Sequence, residues 1–156
     1  MKTNTIFLLI SCLLHIKCIS QNNPSGLTNH MQLGKYNTVI ERVELTEQTR
    51  GINRKLTFEP MSSSISLNGK INKTELPPAN WKNITEEASS IDLSKISTYA
   101  SPTTGRYSDS ALSSAIIITS GGKTYESSSF DAGIPPKELE GLYRLLRGKS
   151  QIIKKK

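Results

Sequence analysis

Three charged residues in the last third of the chain stand out by type and placement. Arg106 and Asp109 precede a candidate β-hairpin, and Asp131 follows it. Two carboxylates brought together can divide general acid and base roles, and Arg106 would complete a charged group if the three converged. Arg106, Asp109 and Asp131 therefore outline a pocket for a small enzyme or ligand carrier. The same groups can also satisfy one another. Arg106 folded back onto Asp109 or Asp131 would pin the loop before the hairpin to the turn after it. Each aspartate has, besides, an ordinary role as a turn or cap residue.

Other chemistry finds less support. A Ser-His-Asp device needs an ordered histidine, and beyond residue 20 the chain has only His30, in a polar stretch. Both cysteines, Cys12 and Cys18, fall within the first twenty residues. Cys–His catalysis and the usual Cys/His zinc ligand sets are then missing from the remainder. The expectation is a protein that is not an enzyme, with no metal and no cofactor.

Those first twenty residues read as a secretory signal peptide (1–20). Lys2 supplies the positive start, Ile6 to Leu14 the apolar run, and Cys18-Ile19-Ser20 places small residues three and one before a cut. The run is too short to span a bilayer, which takes about twenty residues, so no transmembrane segment is expected. Leu9-Ile10-Ser11-Cys12 also fits the box at which bacterial lipoproteins are cut, which keeps a lipid anchor at Cys12 as the alternative. Residues 21–34, polar and without period, read as a flexible leader. A secreted or periplasmic chain without disulfides must hold itself by its core, which 136 residues allow.

The formal charge of +7 shrinks once Lys2 and Lys17 are set aside, and Lys154-Lys155-Lys156 supplies much of the rest. Residues 149–156 read as a solvated basic tail. With 6% aromatics, scattered, the chain lacks the interleaved basic and aromatic face of a nucleic-acid binder. The expected partner is another protein, with no nucleic acid.

The elements that must position Arg106, Asp109 and Asp131 follow from periodicity. Alternation predicts a strand over 35–45, a turn over 46–53 and a strand over 54–60. Asn68-Gly69 marks a tight turn between short strands around Ile65 and Ile71. Pro78 to Ser90, with Trp81, Ile84 and Ala88 on one face, predicts a helix, and Asp92 caps a second short one through Tyr99. Ala111 to Thr119, centred on Ile116-Ile117-Ile118, reads as a central strand that turns at Ser120–Lys123 and returns over 124–130. Ser62–Ser64 is expected in a loop and Ser127–Ser129 on an exposed strand face; Trp81 and Phe130 are expected in the core. Asn72-Lys73-Thr74 and Asn83-Ile84-Thr85 match the glycosylation triplet, which matters only in a eukaryotic secretory pathway. After Pro135-Pro136, Leu139, Leu142, Tyr143 and Leu146 define a helix, with Gly148 as its C-terminal cap. The sum is a single α+β domain over 35–148. An antiparallel sheet of about four strands, covered by two or three helices, ends in a hairpin plus C-terminal helix.

Arg106-Tyr107-Ser108-Asp109 and Phe130-Asp131-Ala132-Gly133-Ile134-Pro135-Pro136-Lys137-Glu138-Leu139 carry a resemblance to small secreted proteins of flavobacterial type, which implies a fold and a compartment but no activity. More distantly, the hairpin, acidic step, Pro-Pro and leucine helix resemble the emfourin-type proteinaceous inhibitors of thermolysin-like metalloproteases. That likeness covers about a third of the chain, and the Pro-Pro step is its specific part. Where emfourins open with Arg-Gly-Gly the chain offers only Arg50-Gly51, so no inhibitory residue carries over. With catalytic chemistry set aside, the expected function is a secreted or periplasmic, non-enzymatic binding domain acting on another protein; the emfourin likeness implies inhibition of an exported protease as its specific form.

Overall fold

Glycine-turned hairpins build most of the molecule. The computed structural model describes residues 39–109 and 111–153, which fall within one compact unit. Strands β1 (Ile40–Thr49), β2 (Ile52–Glu59), β3 (Ser62–Leu67) and β4 (Lys70–Glu75) form a meander joined by two-residue turns. Helix α1 (Pro78–Ser89) comes next, then β5 (Ser113–Ser120), β6 (Lys123–Glu126), the two-residue β7 (Phe130–Asp131) and helix α2 (Glu140–Ile153). The sheet is antiparallel in the order β4-β3-β2-β1-β5-β6, with β7 also pairing β5.

Alternation puts one face of this sheet under the helices. Val43 and Leu45 of β1 stand opposite Phe58 and Leu56 of β2 and Ile118 and Ile116 of β5, all buried. Ile84 and Ala88 of α1 and Leu142, Tyr143 and Leu146 of α2 close over them. Phe130 meets Tyr143 edge to face, with ring centroids 5.4 Å apart, the geometry that aromatic quadrupoles favour. Trp81 packs half-buried against the same core, and Phe130 is fully buried.

The α+β class expected from the sequence is present, with seven strands among the described residues instead of about four. The excess comes from the short, polar strands around Ile65 and Ile71, which are full members of the sheet, and from β7, which is split off the return strand. The turn expected over 46–53 narrows to Arg50-Gly51, because β1 runs on to Thr49 and β2 starts at Ile52. Ser62–Ser64 lies in β3, with Ser63 buried and its hydroxyl 3.0 Å from that of Thr74 on β4. The return strand over 124–130 is split. Ser127 is buried, and its Oγ accepts the Ile116 amide at 3.0 Å where the ladder would otherwise continue. The alternation read at the start of β1 is interrupted by a register shift between Ile40 and Arg42.

Helix α1 matches its expected span to one residue. Asp92 does cap, accepting from the Ser94 amide at 3.1 Å, but the chain after it forms only a turn and a single 3-10 turn at Ile96–Thr98. Serine, threonine and β-branched isoleucine there give little intrinsic helix stability, and so short a segment cannot offset nucleation. Gly148 does not end α2, which continues to Ile153. Lys149 Nζ donates to Asn80 Oδ1 of α1 at 2.7 Å, so the turn expected to be a free tail is tied down. The signal peptide, the leader, the start of the first strand at residues 35–38 and the Cys12 alternative lie outside the described residues. No helix among those described is long and apolar enough to cross a membrane.

Candidate functional site: a carboxylate-clamped loop

The loop between the 3-10 turn and β5 carries Arg106, and β7 carries Asp131. The Ser113↔Asp131 pairing fixes the aspartate at the end of the sheet, where its carboxylate reaches the loop. Asp131 Oδ2 accepts from the Thr103 hydroxyl and, at 2.7 Å, from the Gly105 amide; Oδ1 accepts from the Arg106 amide at 2.5 Å. A Cβ on Gly105 would sit 3.0 Å from Asp131 Oδ2, so glycine permits the close approach. The Thr103 hydrogen bond, foremost, holds the Asp131 carboxyl below its ordinary pKa. Burial opposes this, and the Arg106 and Gly105 amides and the Arg106 charge reinforce it.

The Arg106 side chain closes the other side of the loop. Nη1 donates to the Thr103 carbonyl at 2.6 Å and to Ser101 Oγ at 3.0 Å, and lies 3.7 Å from Asp131 Oδ1. Nη2 donates to Tyr107 Oη at 2.9 Å, and the guanidinium stands 4.4 Å above the Tyr107 ring, within cation–π range. Arg106 Nε has no acceptor among the described residues. The result is a rigid turn that holds Tyr107 outward, 75% exposed.

Of the residues singled out in the sequence, Arg106 and Asp131 are brought together and Asp109 is not. Asp109 Oδ2 instead faces Arg50 Nη1 at 3.6 Å, both side chains in solvent. The groups do not converge on an empty centre. Clefts of about 720 Å3, beside Glu87 and Gly141, and about 380 Å3, beside Tyr143 and Arg147, lie elsewhere. Among the described residues no cluster of three or more His, Cys, Asp or Glu could hold a metal ion.

A second charged cluster escaped the sequence reading. Glu47, fully buried in β1, accepts from Arg54 of β2 and, at 2.7 Å, from Arg147 Nη1 of α2. A carboxylate so buried needs such partners. The signal was present: Glu47 and Arg54 continue the alternation of Val43, Leu45 and Leu56, Phe58, once Arg50-Gly51 is taken as the whole turn.

Fold and site together define an antiparallel sheet-and-helix protein of the α+β class, with one loop clamped by an aspartate. Compared with known protein families and with curated proteins, the chain matches none.

Proposed function

We propose that this is a secreted or periplasmic, non-enzymatic binding protein that contacts another protein through the loop 101–107. The observation that carries the reading is the pairing of Arg106 and Asp131. Their hydrogen bonds are spent on the loop rather than aimed at a cavity, and what they present to solvent is Tyr107. Tyrosine and arginine are among the residues most enriched at binding hot spots, and a loop already ordered before contact loses less entropy on binding. The likeness of the Phe130–Leu139 step to emfourin-type inhibitors supports an exported metalloprotease as the partner class to test first.

The experiment is affinity capture from a secreted fraction with the intact protein and with Tyr107→Ala, alongside inhibition of a thermolysin-like metalloprotease. Capture of a protease by the intact protein, weakened about thirtyfold by Tyr107→Ala, is the expected outcome for a hot-spot residue. Capture unaffected by Tyr107→Ala would remove the loop as the site, and failure to inhibit any co-secreted protease would remove the inhibitor form.

A further inference from the structure

Strand β4 ends the sheet at the edge opposite β6, and no described strand pairs its outer side. The phase of its ladder is fixed at both ends. The hairpin closes at Leu67↔Lys70, and the Leu76 amide donates to the Met61 carbonyl. By the alternation of antiparallel ladders, Lys70, Asn72 and Thr74 spend their amides and carbonyls on β3, while those of Ile71, Lys73 and Glu75 point away from the sheet.

Exposed edges of this kind are normally blunted by proline, a bulge, very short length or charge. β4 has six residues, no proline and no register shift, and Ile71 on it is 70% exposed. Charge alone blunts it, from Lys70, Lys73 and, at its end, Glu75, and the two lysines leave the strand net positive. They disfavour a second copy of the chain. In the antiparallel self-pairings that cover most of the strand, Lys73 meets Lys73 or Ile71 meets Lys73. Toward a strand of opposite charge the same lysines are attractive, since opposite charges directly across a ladder stabilise it.

We propose that β4 takes up an extended acidic polypeptide segment as an added antiparallel strand, with carboxylates across from Lys70 and Lys73 and a β-branched residue across from Ile71. This rests on the protein-binding reading above but places a contact at the opposite sheet edge from the loop 101–107. Main-chain hydrogen bonds supply the attachment and the side chains across the ladder supply the selection.

The test uses the full chain labelled with 15N and a blocked peptide, Lys-Thr-Glu-Thr-Val-Glu, which in antiparallel register sets glutamates across from Lys73 and Lys70 and valine across from Ile71. The amides of Ile71, Lys73 and Glu75 are expected to shift to saturation, and their hydrogen exchange to slow by about tenfold or more as they become paired. Ile71→Pro removes an outward N–H without touching the β3 ladder, and should abolish these shifts while the Asn72 and Thr74 amides stay protected. Should that variant not fold, Lys73→Glu should transfer the preference to the peptide carrying lysine in place of glutamate. Equal response to both peptides by the intact protein would overturn the proposal. So would concentration-dependent self-association through β4 without peptide. Shifts confined to residues 101–107 would also overturn it, while leaving the loop reading intact.

Discussion

Asp131 joins two segments that meet only in the folded chain, and its titration reports that junction. Its carboxyl is held below the ordinary 3.8, first by the Thr103 hydroxyl. A folded-state pKa below the unfolded one means that the stabilisation is full above the unfolded value and is lost as pH falls through the folded one. Asp131→Asn should therefore lower the melting temperature at pH 7, and the difference from the intact protein should shrink below pH 3.8. Equal melting curves at both pH values would refute the clamp. Glu47 is the harder residue to replace. Glu47→Ala removes the buried carboxylate shared by Arg54 and Arg147, and because both arginines keep some contact with solvent the cost falls below that of a fully buried pair, at about 2 kcal/mol. Urea unfolding should show it as a lowered midpoint with little change in slope. At this scale the sequence pointed to Arg106 and Asp131 because arginine and aspartate flanked one hairpin. Glu47 was missed because it lay in what read as a turn.

Among the elements, the turns were the most legible. Asn68 and Gly69 have φ of 48° and 86°, and Gly121 and Gly122 have 56° and 72°. These are the left-handed conformations that two-residue hairpins require. The β2–β3 turn is the exception, since Met61 holds φ at 66° with its side chain exposed. A side chain there costs about 1 kcal/mol relative to glycine. Met61→Gly should raise the melting temperature by about 4 °C if that cost is relieved in full, and a scanning calorimeter would read it directly. Helices α1 and α2 were legible for a similar local reason, an apolar stripe at helical spacing behind a proline start. Strands β3 and β4 were less so. Serine, lysine and asparagine dominate them, and the backbone ladder holds them at the sheet edge more than apolar burial does. The break at Ser127 was invisible too, because nothing in a serine run says which hydroxyl will stand in for a backbone acceptor.

For the molecule as a whole, both helices and the central strands share one core, and the chain's single tryptophan, Trp81, packs against it. Unfolding should then be cooperative. Urea transitions monitored by Trp81 fluorescence and by far-ultraviolet circular dichroism should coincide, and separate midpoints would show that α1 leaves the sheet before the strands part. The amino-acid sequence by itself determined the α+β class, the glycine turns and the faces of the two helices, because each depends on residues within a few positions of one another. Only the tertiary structure decided which carboxylate meets Arg106. Asp109 is three residues away and turns instead to Arg50, while Asp131, twenty-five residues away, is carried to the loop by its pairing with Ser113. Proximity along the chain could not make that choice, because strand register sets the distance across a sheet and is fixed by the burial of many side chains at once.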